Sequence, residues 1–370
     1  MSRILLKTLT SVHIGSGNKL VKDLDFITTL ENGNSYINVL DENKMADKIG
    51  DENIGSWAAM INSGHTVPEI MHKFAPNTAV NEYIKYKIES FSDEVRNNDT
   101  LLEIIRDVSG RPYIPGSSIK GAIRTAILST VAQNKPQEAQ KNYTELEKNV
   151  FGASPNSDVF RFITLGDSVM PSNESVIAVR LISMNIRNSK DSVIDNGRSQ
   201  LEEVIREGEK SYFTLKIDER KYSFVRRSWP SLDKFGNLGV LDSSFASGKN
   251  LFGLINAYTT RMLESELEIW EDVNKEKSDV DEYLDNVQTI LNEANQCNEN
   301  ECVLRIGHGS GWRFTTGAWT ERLKCFDDVR RKVHGKRYVN YQNYIFPKTR
   351  RVDFDQEQLL GFVKLTIEDK

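Results

Sequence analysis

The sequence predicts an α+β protein built from two halves, and three observations carry that reading. Stretches with strand and helix character are bunched along the chain instead of strictly alternating, which parallel βα units would require. The 370 residues are more than twice the common domain length of ~150. Hydrophobic residues make up 38% and charged residues 27%, a composition that can bury cores and is too apolar for general disorder. The expected division falls near residue 220, giving segments 1–219 and 220–370.

Residues 3–12 are β-biased and run into the turn His13-Ile14-Gly15-Ser16-Gly17. Residues 41–98 read as a helical insertion, because Val80, Tyr83, Ile84, Lys87, Ile88, Phe91 and Val95 recur at three and four. Pro68 and Pro76 break that segment upstream. A strand at 101–107 precedes the turn Ser109-Gly110-Arg111-Pro112 and the stretch YIPGSSIKGAIR at 113–124. There Pro115 and Gly116 end the extended chain and Ser117 or Ser118 caps a helix. Ile119, Ile123, Ala126, Ile127 and Val131 give this helix one buried face. Strands at 159–167, 175–187 and 211–218 complete a β-α-β-β set. The second half then reads as a strand at 220–230, helices at 251–295, a short strand at 302–306, a glycine-rich loop, a basic segment and a last strand at 361–367.

No apolar run reaches the ~18 residues of a membrane helix or forms a signal-peptide core, so a cytoplasmic location without a membrane partner is expected. Cys297, Cys302 and Cys325 are odd in number and lack a C-x-x-C pair, which excludes a disulfide framework and a zinc ribbon and leaves them as reduced apolar fillers. The net charge of −5 hides an asymmetry. Residues 262–301 hold 13 acidic and 2 basic side chains, whereas 329–352 hold 8 basic and none acidic. Distribution, not sum, decides whether a surface attracts a polyanion.

Three stretches can carry chemistry. The helix opening at Gly116, Ser117 and Ser118 has free N–H groups and a positive dipole end, and Lys120 and Arg124, four apart, share one side. They can grip a nucleic-acid backbone, or equally lie solvated or pair with a neighbouring acid. Lys120 precedes Gly121 with no hydroxyl in register, so this is no nucleotide P-loop. The second stretch, Gly307, His308, Gly309, Ser310 and Gly311, lets a backbone approach a ligand closely, yet misses the dinucleotide spacing; its plain alternative is a tight turn. The third interleaves Arg330, Arg331, Lys332, Lys336, Arg337, Lys348, Arg350 and Arg351 with Tyr338, Tyr341, Tyr344 and Phe346, which suits single-stranded nucleic acid. Alternatively it docks on the acidic helices of the same or a neighbouring chain.

Catalytic and metal patterns are thin. His13 and His308 each sit beside a glycine-rich turn, where a histidine acts as a general acid or base only if a phosphate is near. Asp23, Asp25 and Asp167 are not grouped by the sequence. No catalytic residue, metal ligand or cofactor is therefore assigned.

In this order, LTSVHIGSG at 9–17, YIPGSSIKGAIR at 113–124, residues 164–167 and the loop at 307–311 resemble the RAMP superfamily of CRISPR-associated proteins. FPKTRR at 346–351 and LGFVK at 360–364 look like the subunits that cap the crRNA 3′ end in type III-A Csm complexes. The resemblance implies two ferredoxin-like, RRM-related domains with helical insertions. It further implies a non-enzymatic role in crRNA maturation and antiviral interference, with crRNA, backbone Csm subunits, target RNA and host nucleases as partners; a ribonuclease of the same superfamily is the rival. It makes the residues at 116–124, 307–311 and 348–351 named above RNA-facing or subunit-facing. RNP aromatic signatures are absent, which favours recognition through backbone and loops over base stacking on a sheet.

Overall fold

In a computed structural model, the described residues are 2–92, 95–97, 99–134, 143–186, 192–218, 220–221, 224, 248–274, 279–322, 326–335 and 346–368. Strand β1 (Ser2–Thr8) buries Ile4, Leu6 and Thr8 and turns Arg3 and Lys7 outward, the period-two pattern of a half-buried strand. After β2 (Gly15–Val21), the hairpin β3 (Phe26–Glu31) and β4 (Asn34–Leu40) turns through Asn32-Gly33, both at positive φ (52° and 88°), as a two-residue primed turn requires. Helix α1 (Glu42–Ile49) is capped by Asp41, α2 (Ile54–Asn62) follows, and α3 (Val67–Phe74) opens on a Thr66/Glu69 capping box.

The helical reading of 41–98 holds only as far as Phe74. Residues Ile84–Ser90 form strand β5, with Tyr86, Ile88 and Ser90 buried and Lys85 and Lys87 turned outward. The apolar positions satisfy both a period of two and a period of 3.6. β4 decides between them by pairing Ile37 with Ile88 and Val39 with Tyr86.

Next come β6 (Thr100–Ile104), β7 (Tyr113–Ile114), α4 (Gly116–Asn134), α5 (Tyr143–Phe151), β8 (Ile163–Leu165), β9 (Ser168–Val169), β10 (Val176–Asn185), β11 (Ile194–Ile205) and β12 (Lys210–Ile217). All five apolar positions assigned to the inner face of α4 are buried. The chain continues with α6 (Gly248–Asn274), α7 (Asp281–Gln296), β13 (Glu301–Arg305), α8 (Phe326–His334), β14 (Thr349–Asp353) and β15 (Phe362–Glu368). Most of the strand expected at 220–230 lies outside the described residues. Cys302 is buried and Cys297 half-buried, both free.

The architecture is α+β. Five described strands form an antiparallel sheet in the order β13-β15-β1-β12-β8. Helix α6 packs against β13, and α4 against α6 and β8. A second, mixed sheet runs β2-β6-β11-β10-β5-β4-β3, with β14 also paired to β10. β15 lies between β13 and β1, so strands from either side of residue 219 share both sheets. No described helix is long and apolar enough to cross a membrane.

Asp353, at the end of β14, is buried, and that burial lifts its carboxyl from an ordinary 3.8 to about 6. The unfolded chain gives up this proton first, so the stability contributed here falls as pH rises from about 4 to about 6. Asp353→Asn keeps an oxygen for the Asp355 N–H, now 3.0 Å away. The variant is expected to be about 2–3 kcal/mol more stable than the wild type near pH 7.5 and equal to it below about pH 4. Urea unfolding at the two pH values measures this, and an unchanged difference between them would refute the assignment.

Candidate nucleic-acid interface

The glycine-rich loop leaves β13 and is clamped to the turn after β1. Gly307, Gly309 and Gly311 all have positive φ (79°, 78° and 70°). The His308 N–H donates to the His13 carbonyl at 2.8 Å, and a side chain at Gly307 would strike that same oxygen. Beneath the loop, buried Arg305 donates from Nε to the Leu360 carbonyl (2.8 Å) and from Nη2 to the Gly309 carbonyl (3.1 Å). Its guanidinium lies over the rings of Phe314 and Phe362 (4.6 and 5.0 Å), so its position is fixed on every side.

Strand β14 brings the basic segment to the same place. Arg350 is buried and donates twice to Glu266 of α6, at 2.5 and 2.9 Å. Arg313 Nη1 lies 3.6 Å from the same carboxylate, and its Nε 3.6 Å from Glu321. Burial alone would raise the Glu266 carboxyl; the charge and hydrogen bonds of Arg350 outweigh it and hold the group at about 2. The Arg350–Glu266 pair joins the basic segment to an acidic helix of its own chain, as the alternative reading of that segment expected. The buried Nη1 of Arg351 has no hydrogen-bond partner among the described residues, and neither do Nε and Nη1 of Arg313, but Arg313 bonds Ser265 through Nη2 and lies beside two carboxylates.

Loop and strand enclose a cavity of about 440 Å³ whose described lining includes Arg305, Arg313, Arg350, Arg351 and His308 against the single carboxylate of Glu266. Three of the arginines are tied up internally and supply field, while Arg351 and His308 can make contact. This is the arrangement of an anion site: fixed positive charge around a backbone that comes close.

The start of α4 does something else. The Gly116 N–H donates to Asp167 at 2.8 Å, and a Cβ there would meet the backbone of Leu165 and Gly166. Ser117 is exposed and Ser118 half-buried. Lys120 donates to the Ile163 carbonyl at 2.7 Å, and burial lowers its pKa. Arg124 pairs with Asp158 (2.8 Å) and Glu147 (3.3 Å) over the Phe151 ring. Both cations thus have partners within the chain, as the alternative reading of their spacing expected. They share one side of the helix as their spacing requires, and Glu147, Asp158 and Ile163 occupy that side.

Elsewhere, Arg330 and Arg331 lie near Asp327 and Asp328 of their own helix (3.7 and 3.9 Å), and Lys348 is half-buried. Lys336 and Arg337 lie outside the described residues. His13 and His308, far apart in sequence, come together with ring centroids 5.5 Å apart. His308 Nδ1 is 3.1 Å from Glu202 Oε2, a bond that raises its pKa, and His13 Nδ1 is 2.6 Å from the Glu203 carbonyl. Asp25 accepts from the Val21 N–H, Asp167 caps α4, and Asp23 lies near Lys22; these three carboxylates are not grouped. Glu202, Glu266, Arg305 and Arg313 escaped the sequence reading. Only the two arginines left a trace there, flanking the glycine loop on either side.

A model of the RAMP superfamily matches residues 5–314. The Streptococcus thermophilus CRISPR system Cms protein Csm5 is 27% identical over 206 residues, covering 51% of this chain and 57% of that protein. The Methanocaldococcus jannaschii protein of the same name is 28% identical over 180 residues, covering 44% and 41%. These matches thus span about half the length of either relative. Among solved structures, a chain of a Csm–crRNA–target RNA ternary complex from a type III-A CRISPR–Cas system aligns over 100% of both chains, with TM-score 0.71 and 21% identity. The crystal structure of T. onnurineus Csm5 aligns over 97% of this chain and 99% of that one, with TM-score 0.64 and 19% identity. At these identities the likeness concerns the fold.

Proposed function

Because the chain belongs to the RAMP superfamily, we propose that it is an RNA-binding structural subunit of a type III-A CRISPR Csm ribonucleoprotein, capping the backbone filament near the crRNA 3′ end. In this reading it works in the cytoplasm with crRNA and backbone Csm subunits, meets target RNA in the assembled complex, and supports crRNA maturation by nucleases from outside. The observation that carries it is the convergence of the glycine loop and β14 around a cavity with four arginines and one carboxylate in its described lining. Backbone approach plus fixed positive charge recognises phosphates without reading sequence, so binding is broad and salt-sensitive.

A non-catalytic role is supported by His13, which is 2% exposed and so shielded from an RNA phosphate. The rival reading, a ribonuclease using His13 and His308, draws on their proximity. Reversing the charge of the cation left without a hydrogen bond tests the proposal. Arg351→Glu is expected to weaken association of mixed-sequence single-stranded RNA by about tenfold or more, and to flatten the slope of log K against log salt by about 1. Unchanged affinity would remove the cavity from the RNA path. Metal-free or metal-dependent cleavage by the wild type that disappears in His308→Ala would favour the ribonuclease instead.

A further inference from the structure

We propose that His13, Glu202 and His308 form a binding site for one divalent transition-metal ion of the zinc class. Each offers a ligand atom, and these atoms lie within 4.8 Å of one another. Glu202 Oε2 is 3.1 Å from His308 Nδ1 and 3.8 Å from His13 Nδ1. Ligands of one such ion are separated by roughly 3–3.5 Å, given metal–ligand distances near 2.0–2.2 Å. Small side-chain adjustments therefore suffice.

The second, independent observation is Glu202 itself. It is 0% exposed, and its Oε1 has no hydrogen-bond partner among the described residues. A buried carboxylate oxygen without a donor is costly unless a cation completes it. Lysine and arginine are not within ion-pair distance of it among the described residues; the ionisable groups facing it are the two imidazoles. His13 Nδ1 also lies 2.6 Å from the Glu203 carbonyl, a hydrogen bond that ligation through Nε2 would keep as backbone support and ligation through Nδ1 would displace.

Donor chemistry selects the ion. Two imidazoles and one carboxylate suit zinc and its first-row neighbours, whereas magnesium and calcium prefer oxygen sets. Three protein ligands leave a fourth position, and the exposed face of His308 (side chain 47% exposed) opens toward solvent. Such an ion would tie together three segments distant in sequence: the turn after β1, strand β11 and the glycine loop. The proposal stands apart from the RNA reading, since it needs no RNA.

The test is titration of the chelator-treated full-length protein with cobalt(II) and zinc(II), followed by absorption and calorimetry, with thermal unfolding in parallel. One equivalent should bind with a visible d–d band for cobalt, and zinc should raise the melting temperature. His308→Ala alters an exposed side chain and so should fold. It is expected to lose more affinity than the roughly 10–100-fold that follows removal of an outer-sphere partner. Glu202→Gln should lose the band as well. If no stoichiometric binding appears, the three groups are an ion pair and its support only, and the proposal fails. Binding of one equivalent that survives in His308→Ala places the ion elsewhere and overturns it equally.

Discussion

Glu266→Gln is expected to lower the unfolding free energy by about 3–5 kcal/mol, the range for breaking a buried ion pair from one side. Glu266 is 1% exposed and accepts Arg350 at 2.5 and 2.9 Å, Tyr283 Oη at 2.6 Å and Trp270 Nε1 at 2.8 Å. Glutamine keeps the shape but leaves Arg350 and Arg313 buried beside a neutral amide. The pH dependence gives an independent check. The carboxyl falls from an ordinary 4.5 to about 2 on folding, a depression worth about 3 kcal/mol, in line with the first figure. A depressed carboxyl contributes its stability above its unfolded value and loses it as pH falls through the folded one. The deficit of the variant should therefore shrink between about pH 4.5 and pH 2. Urea unfolding near neutrality and near pH 3 measures both. A deficit below about 1 kcal/mol at neutral pH would mean that the pair contributes no more than an exposed one.

That ion pair also shows where sequence reading stops. Helix α4 was legible because its signals are local: a break at Pro115-Gly116 and an apolar stripe at three and four. β5 was misread because the residues that distinguish strand from helix belong to β4, about 50 positions upstream. The β3–β4 hairpin carried its signal in Asn32-Gly33, which went unread. Pairing of β15 with β1 has no local signature, since it joins the two ends of the described chain.

At the site, residue types were more legible than their assignments. The glycine loop and the basic segment were both singled out, and the fold brings them to one cavity. What spacing does not disclose is which cation is already bound within the chain. Lys120, Arg124 and Arg350 are paired with Ile163, Asp158 and Glu266, and only the folded chain supplies those partners. Glu202 is the extreme case. One glutamate in a strand gains meaning solely because turns about 190 residues before it and 106 residues after it deliver a histidine each.

Comparing Gly307→Ala with Gly311→Ala separates backbone strain from close approach, and the first is expected to be far more damaging. Both glycines have positive φ, 79° and 70°, which costs an alanine about 1–2 kcal/mol. Around Gly311 a Cβ meets nothing within 4 Å, so that strain is the whole effect. At Gly307 a Cβ would strike the His13 carbonyl and come within 2.9 Å of Ile14 Cδ1, and the first of these is backbone that cannot rotate away. The loop must then lift from the turn after β1 and lose the His308 N–H bond to His13. The total cost should reach about 3 kcal/mol or more, the added part coming from overpacking. Because this bond seats the loop against the arginines, Gly307→Ala should also weaken RNA association across sequences, while Gly311→Ala leaves it close to wild type. Thermal unfolding and RNA titration of the two variants side by side decide the matter. Equal effects on both readouts would mean that the clamp between the loop and His13 does not organise the cavity.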